Sequence, residues 1–286
     1  MFDDPNKRES FYHSALIYSK RLDVGTDEAN NKAKELLGRY RTFEAIFREL
    51  HGLFHEDSLR EVPNINAIRR SVENSGDFKV LKFFDGEFPQ SLREVPDSTP
   101  VLYVSGYLRL FDSKSMAVVG TRKPMEKEYI DGEKRAVQEL IDRDYVVVSG
   151  LARGCDTLAH EYAIEHDGRT IAVLGTPLDH YYPEENRRLQ DKIASQHLLV
   201  SQYPVGIRTF PQYFAHRNKT TVGLSDGVIV ISASDRSGTQ HAIKSCVEQG
   251  KPLYVLERNL DEGYHWTATY RDKMTVINRG EKCPFI

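Results

Sequence analysis

The sequence predicts an α/β protein with a doubly wound, mostly parallel sheet and a small helical domain in front of it. From Ser115 to Leu256, short runs of β-branched residues alternate with amphipathic helical segments. Alternation of this kind favours right-handed βαβ crossovers, which produce a parallel sheet. Residues 1–76 instead carry apolar residues at three- and four-residue spacing, which is typical of helices.

The helical domain is predicted over residues 1–76. Tyr12, Ala15 and Leu16 lie on one face of a first helix, and Ala33 and Leu37 on one face of a second. Predicted start signals are Thr26 or Asp27 for the second helix, Thr42 for a third and Pro63 for a fourth. Such a bundle is typical of a docking domain or of a nucleic-acid module of the SAM or helix-hairpin-helix type, and no glycine-rich hairpin favours the second interpretation.

Residues 77–286 are predicted to form the sheet domain. Strands are expected at 79–84, 101–104, 115–120, 145–149, 170–175, 198–201, 227–232 and 253–256, the first two at an edge. Helices are expected at 125–142, 156–165, 184–195, 210–222 and 238–249.

The glycine-flanked loop after the 145–149 strand is the strongest functional signal. Gly150 and Gly154 are expected to allow positive φ and a close approach of the backbone to a ligand, and the helix that follows would direct its first N–H groups at an anion. Ligands of parallel sheets bind beyond the carboxyl ends of strands. Each residue there also has an ordinary packing explanation, but several strand ends deliver hydroxyls, arginines and small residues together. The predicted phosphate-binding residues are Gly120, Thr121, Arg122, Ser149, Gly150, Ala152, Arg153, Gly154, Asn186, Arg187, Arg188, Arg217, Asn218, Lys219, Ser237, Gly238 and Thr239.

Composition and charge narrow the function classes. The net charge of −3 argues against general coating of nucleic acid but permits a local basic groove. Three widely spaced cysteines indicate a reducing compartment and no disulfide framework. With no membrane-length apolar run and no secretory signal at the start, we expect a cytoplasmic protein without a membrane partner. No catalytic set, metal spacing or cofactor fingerprint is evident, so we expect neither an enzyme nor a cofactor or metal.

Several motifs together resemble the DNA-processing protein A (Smf) family over about residues 84–256. They are Gly120-Thr121-Arg122, the segment 149–157, Ile171-Ala172-Val173-Leu174-Gly175, the segment 182–189, Arg217-Asn218-Lys219, Gly223-Leu224-Ser225-Asp226 and Glu248-Gln249-Gly250-Lys251. The resemblance implies an extended Rossmann-like domain that binds single-stranded DNA, forms a homodimer and helps to load a RecA-type recombinase during DNA uptake and transformation.

The chain departs from the family pattern at Cys155, where isoleucine is usual, and beyond Leu256. We expect no winged-helix domain after Ile286. Two other interpretations stay open at this point. One is a nucleotide-sensing regulatory or defence module. The other is a nucleotide phosphoribohydrolase, which is disfavoured because Ala242 stands where that enzyme needs a glutamate.

Overall fold

The computed structural model of the protein describes residues 2–52, 55–123 and 125–284; Met1, Leu53, Phe54, Pro124, Phe285 and Ile286 lie outside the described residues. The chain divides into two units. The first comprises Met1–Gly106, Leu174–Tyr181 and Leu199–Arg217, and the second Tyr107–Val173, Tyr182–Leu198 and Asn218–Ile286. The domain boundary predicted between residues 76 and 77 stays a prediction.

The first unit contains six complete helices and an antiparallel pair of strands within its described residues. The elements are α1 (Pro5–Tyr18), α2 (Asp27–Tyr40), α3 (Phe43–His51), α4 (His55–Glu61), α5 (Ile65–Asn74), β1 (Lys79–Lys82), the short α6 (Gln90–Arg93) and β2 (Val101–Gly106). Thr26 and Thr42 cap α2 and α3 through their hydroxyls, which accept the N–H groups of Ala29 and Ala45. These two caps were predicted, because a hydroxyl at this position satisfies an N–H without an intrahelical partner.

The second unit alternates strands and helices. Its elements are β3 (Ser115–Val119), α7 (Lys127–Asp142), β4 (Val146–Ser149), α8 (Cys155–Glu165), β5 (Arg169–Leu174), α9 (Arg187–Gln196), β7 (Gly227–Val230), α11 (Thr239–Glu248), β8 (Leu253–Leu256), α12 (Arg258–Asp261), α13 (His265–Thr269) and β9 (Met274–Ile277). Short 3₁₀ helices cover Leu108–Asp112, Glu184–Asn186 and Arg271–Lys273. β6 (Leu198–Ser201) and α10 (Pro211–Gly223) each pass from one unit into the other, and the last residue of β5, Leu174, also belongs to the first unit.

Six strands of the second unit pair in the order β5-β4-β3-β7-β8-β9, and every pair is parallel. Alternate side chains of β3, β7 and β8 enter two separate cores. Met116 and Val118 of β3 lie in the core covered by α7 and α8. Ala117 and Val119 lie in the core that α11 and Trp266 cover. Helices therefore cover both faces, which confirms the predicted doubly wound α/β fold.

The predicted elements were largely confirmed, with several differences. The helix expected at Pro63 begins at Ile65 after an Asn64 cap residue at φ 62°, α4 and α6 were not anticipated, and the strand expected at 79–84 ends at Lys82. Elements beyond Leu256, namely α12, α13 and β9, were also missed. Helices and strands of four or five residues are too short to show a clear periodicity, so pattern reading fails for them.

Candidate phosphate-binding site

The candidate site lies at the carboxyl end of β3, in the second unit. β4, the next strand along the chain, pairs with one edge of β3, and β7 pairs with the opposite edge of β3. The strand order thus reverses between β3 and β7, and crevices at such reversals are the usual ligand sites of open α/β sheets. Three loops directly follow the carboxyl ends of β3, β4 and β7: residues 120–123, 150–154 and 231–238.

Gly154 holds the first two segments together. Its φ is +75°, and a Cβ on this residue would lie 2.5 Å from the carbonyl oxygen of Thr121. The N–H of Cys155 donates to the same oxygen at 3.2 Å. Only glycine therefore permits this contact between the loop after β3 and the loop after β4. The expected positive φ at Gly150 was wrong, because the second positive φ of the loop belongs to Leu151, at 57°.

The loop after β4 is further fixed by buried polar side chains. Asn186 is buried, and its Nδ2 donates to the carbonyl of Leu151 at 3.0 Å and to the hydroxyl of Thr157 at 2.8 Å. That hydroxyl donates to the carbonyl of Ala152 at 2.7 Å, and the N–H of Ala152 donates to Oδ2 of Asp156 at 3.2 Å. Asn186 thereby joins the segment before α9 to the loop.

Thr239 connects the switch point to α11. Its hydroxyl donates to the carbonyl of Gly120 at 2.9 Å and accepts from the hydroxyl of Ser237 at 2.8 Å. The Ser237 hydroxyl in turn accepts the N–H of Thr239 at 3.1 Å. Asn218 Nδ2 donates to the carbonyl of Gly238 at 3.3 Å, and the carbonyl of Lys219 accepts from Gln249 at 3.2 Å.

Four arginines predicted for the site are exposed: Arg122, Arg153, Arg187 and Arg188. Arg153 forms a forked ion pair with Glu185, whose Oε2 lies 3.1 Å from Nη2. The hydrogen bonds from Arg153 lower the pKa of the Glu185 carboxyl to about 2. Arg187 lies 3.7 Å from Glu184. Exposed ion pairs of this kind stabilise a protein little, so an incoming phosphate can replace the carboxylate.

Four predicted residues are buried in ways that the sequence did not reveal: Asn186 and Thr239, described above, and Ser149 and Arg217. The Ser149 hydroxyl is fully buried and donates to the carbonyl of Val118 at 2.7 Å, where it links β4 to β3. Arg217, on α10, is 2% exposed and belongs to the first unit, whereas all the other predicted site residues belong to the second.

Sequence reasoning missed two acidic residues of this region. Glu185 lies in the 182–189 motif. Its negative charge beside the positively charged Arg187 and Arg188 is the signal that could have indicated an ion pair. Glu133 is fully buried on α7, at the helical spacing of the core residues Tyr129 and Val137. An acid at a core-facing helical position is the pattern that identifies it.

Among the described residues, no group of three or more His, Cys, Asp or Glu could hold a metal ion. His160 is buried, with Nδ1 2.6 Å from the Thr170 hydroxyl. The three cysteines are buried free thiols. None of the described helices is long and apolar enough to cross a membrane.

Comparison with known proteins identifies the family. The model of the family described as DNA recombination-mediator protein A matches residues 79–272. The chain belongs to this family. DNA processing protein DprA of Streptococcus pneumoniae is 37% identical over 186 residues, which are 65% of this chain and 65% of that protein. Alignments with the first three curated relatives cover 45% to 65% of their length, less than two thirds.

Solved structures of family members share the fold. The X-ray structure of DNA processing protein A from Streptococcus pneumoniae gives a TM-score of 0.67 at 26% identity and covers 95% of this chain and 92% of that one. A structure of DNA processing protein A from Helicobacter pylori, described for its single-stranded DNA binding mode, gives 0.62 at 28% identity and covers 70% and 91%. These matches confirm the Rossmann-like fold that the motif resemblance implied.

Proposed function

We propose that this family member is a single-stranded-DNA-binding recombination mediator of the cytoplasm that performs no catalysis. The observation that carries the proposal is the contact between the loops after β3 and β4 at the switch point, beside the exposed Arg122 and Arg153. Guanidinium groups and backbone N–H groups bind phosphate oxygens without reading bases. Among phosphate ligands, family membership favours a single-stranded DNA backbone.

The residues divide by exposure into two proposed roles. We assign direct phosphate contacts to the exposed Arg122, Arg153, Arg187 and Arg188. We assign supporting roles to Asn186, Ser149 and Thr239, whose side chains donate hydrogen bonds to backbone carbonyls of the loops and of β3. The Arg153 guanidinium would exchange Glu185 for a phosphate on binding, at little cost because the pair is exposed.

A titration separates this function from nucleotide sensing. The purified protein is titrated with a labelled oligothymidylate and with a panel of mononucleotides, each at two salt concentrations. We expect tight binding of the oligonucleotide that weakens with salt, and far weaker binding of any mononucleotide, because only the strand places several phosphates on the protein. Absence of oligonucleotide binding at low salt, or tighter binding of a mononucleotide, would contradict the proposal.

The proposal also includes two protein partners, a second copy of this chain and a RecA-type recombinase. We propose a homodimer that loads a RecA-type recombinase onto the bound strand during DNA uptake, on the ground of family membership. Sedimentation of the purified protein tests the dimer. Recombinase filament formation on strands covered by single-strand-binding protein tests loading, which we expect to speed up when this protein is added.

A further inference from the structure

We propose that the Tyr182 side chain is a stacking platform for a nucleobase of the bound strand. The inference rests on the proposed single-stranded DNA function and adds a base contact to a site that otherwise offers only phosphate contacts. Aromatic rings that stack on bases are the usual complement of a phosphate-binding groove in proteins that bind single strands without sequence preference.

Tyr182 is unusually exposed for an aromatic residue. Its exposed fraction is 55%, the largest among the exposed large hydrophobic residues described. Tyrosine carries a large apolar ring whose burial is favourable, so a solvent-facing ring beside a candidate binding site indicates a ligand contact.

Tyr182 lies in the chain segment that contacts the arginine assigned to phosphate, through Glu185. Electrostatic interaction with Tyr182 contributes to the raised pKa of the Arg153 guanidinium, after the larger effect of Glu185. Glu185, three residues after Tyr182, is the residue that pairs with Arg153. Tyr182 and the partner of Arg153 therefore belong to one short segment. A phosphate on Arg153 then brings an adjacent base to the Tyr182 ring.

The segment that carries the ring is held in place. Pro183 is buried, and the N–H of Asn186 donates to its carbonyl at 3.0 Å. The side chain of Asn186 reaches the loop after β4 through the two hydrogen bonds to Leu151 and Thr157. Because both ends of this short turn are fixed, the position of the platform relative to the phosphate loop is set before DNA binds.

The test compares ordinary and abasic oligonucleotides of equal length. Tyr182→Ala should weaken binding of the ordinary strand about 5- to 150-fold, the loss expected for one stacked base, and leave binding of the abasic strand unchanged. Tyr182→Phe should keep the affinity, since the ring remains. Tyr107→Ala is the matched control: Tyr107 is 47% exposed in the same unit, but it precedes β3 at the other end of that strand.

A fluorescent variant gives a second readout. The chain has one tryptophan, Trp266, which is 4% exposed. Tyr182→Trp adds an exposed indole whose emission should be quenched by ordinary DNA and not by the abasic strand. Equal affinity of wild type and Tyr182→Ala for the ordinary strand, or equal losses on both strands, would overturn the inference and leave the proposed function standing. Failure of the wild-type protein to bind either strand would instead overturn the proposed function, and the inference with it.

Discussion

At the scale of single residues, Glu133 has the least ordinary environment near the site. It is fully buried on α7, where its carboxyl lies beside the Cys155 thiol. Burial raises the pKa of this carboxyl well above its usual range; a hydrogen bond with Cys155 lowers it, and the charge of Asp156 raises it further. Burial therefore favours the neutral form of this carboxyl in the folded protein.

This raised pKa predicts how stability depends on pH. The unfolded chain releases the Glu133 proton at the ordinary value, whereas the folded protein keeps it, so stability falls as pH rises above about 4.5 and until the folded-state pKa is passed. Glu133→Gln should remove this contribution, which is about 1.4 kcal/mol per pH unit at most. Urea unfolding at several pH values between 5 and 8 measures it.

The control for Glu133 is an exposed acid on the same helix. Asp131→Asn should leave the pH dependence of unfolding as it is in the wild type. A Glu133→Gln variant whose stability changes with pH as steeply as the wild type would show that the carboxyl does not titrate differently in the two states.

At the scale of elements, α8 and α11 both begin after a glycine, but for different reasons. Gly154, before α8, has a φ of +75°, and a Cβ there would meet the Thr121 carbonyl. Gly238, before α11, has a φ of −60° and open space where its Cβ would be. The sequence predicts a helix start at both places, but it cannot show which glycine touches another loop, because that contact joins residues more than 30 positions apart.

We therefore expect substitution of the two glycines to affect stability very differently. Gly154→Ala should lower the free energy of unfolding by about 1–3 kcal/mol and weaken DNA binding, because the loop must move away from Thr121. Gly238→Ala should change the stability by less than about 0.5 kcal/mol. Chemical denaturation and DNA titration of both variants measure these effects, and equal stability of the two variants would contradict this account of the loop.

At the scale of the whole molecule, the α/β alternation could be predicted because each strand from β3 to β8 consists mostly of buried β-branched or aliphatic residues. The first unit was harder to delimit, since it also takes in residues 174–181 and 199–217, which lie far from the helical region in sequence. The sequence predicted which loops at the strand ends form the site. It did not predict that Asn186, Ser149 and Arg217 are buried, because burial depends on contacts between residues that are far apart in the sequence.

The central claim is that arginines beside the loops after β3 and β4 bind the phosphates of single-stranded DNA. The most direct test is the salt dependence of oligothymidylate affinity for the wild type, Arg122→Ala and the control Arg109→Ala, an exposed arginine before β3. The slope of log affinity against log salt changes by about 0.7 for each phosphate contact with a single strand. We predict that Arg122→Ala weakens binding and flattens the slope by about that amount, while Arg109→Ala matches the wild type. An Arg122→Ala variant with the affinity and slope of the wild type would contradict the claim.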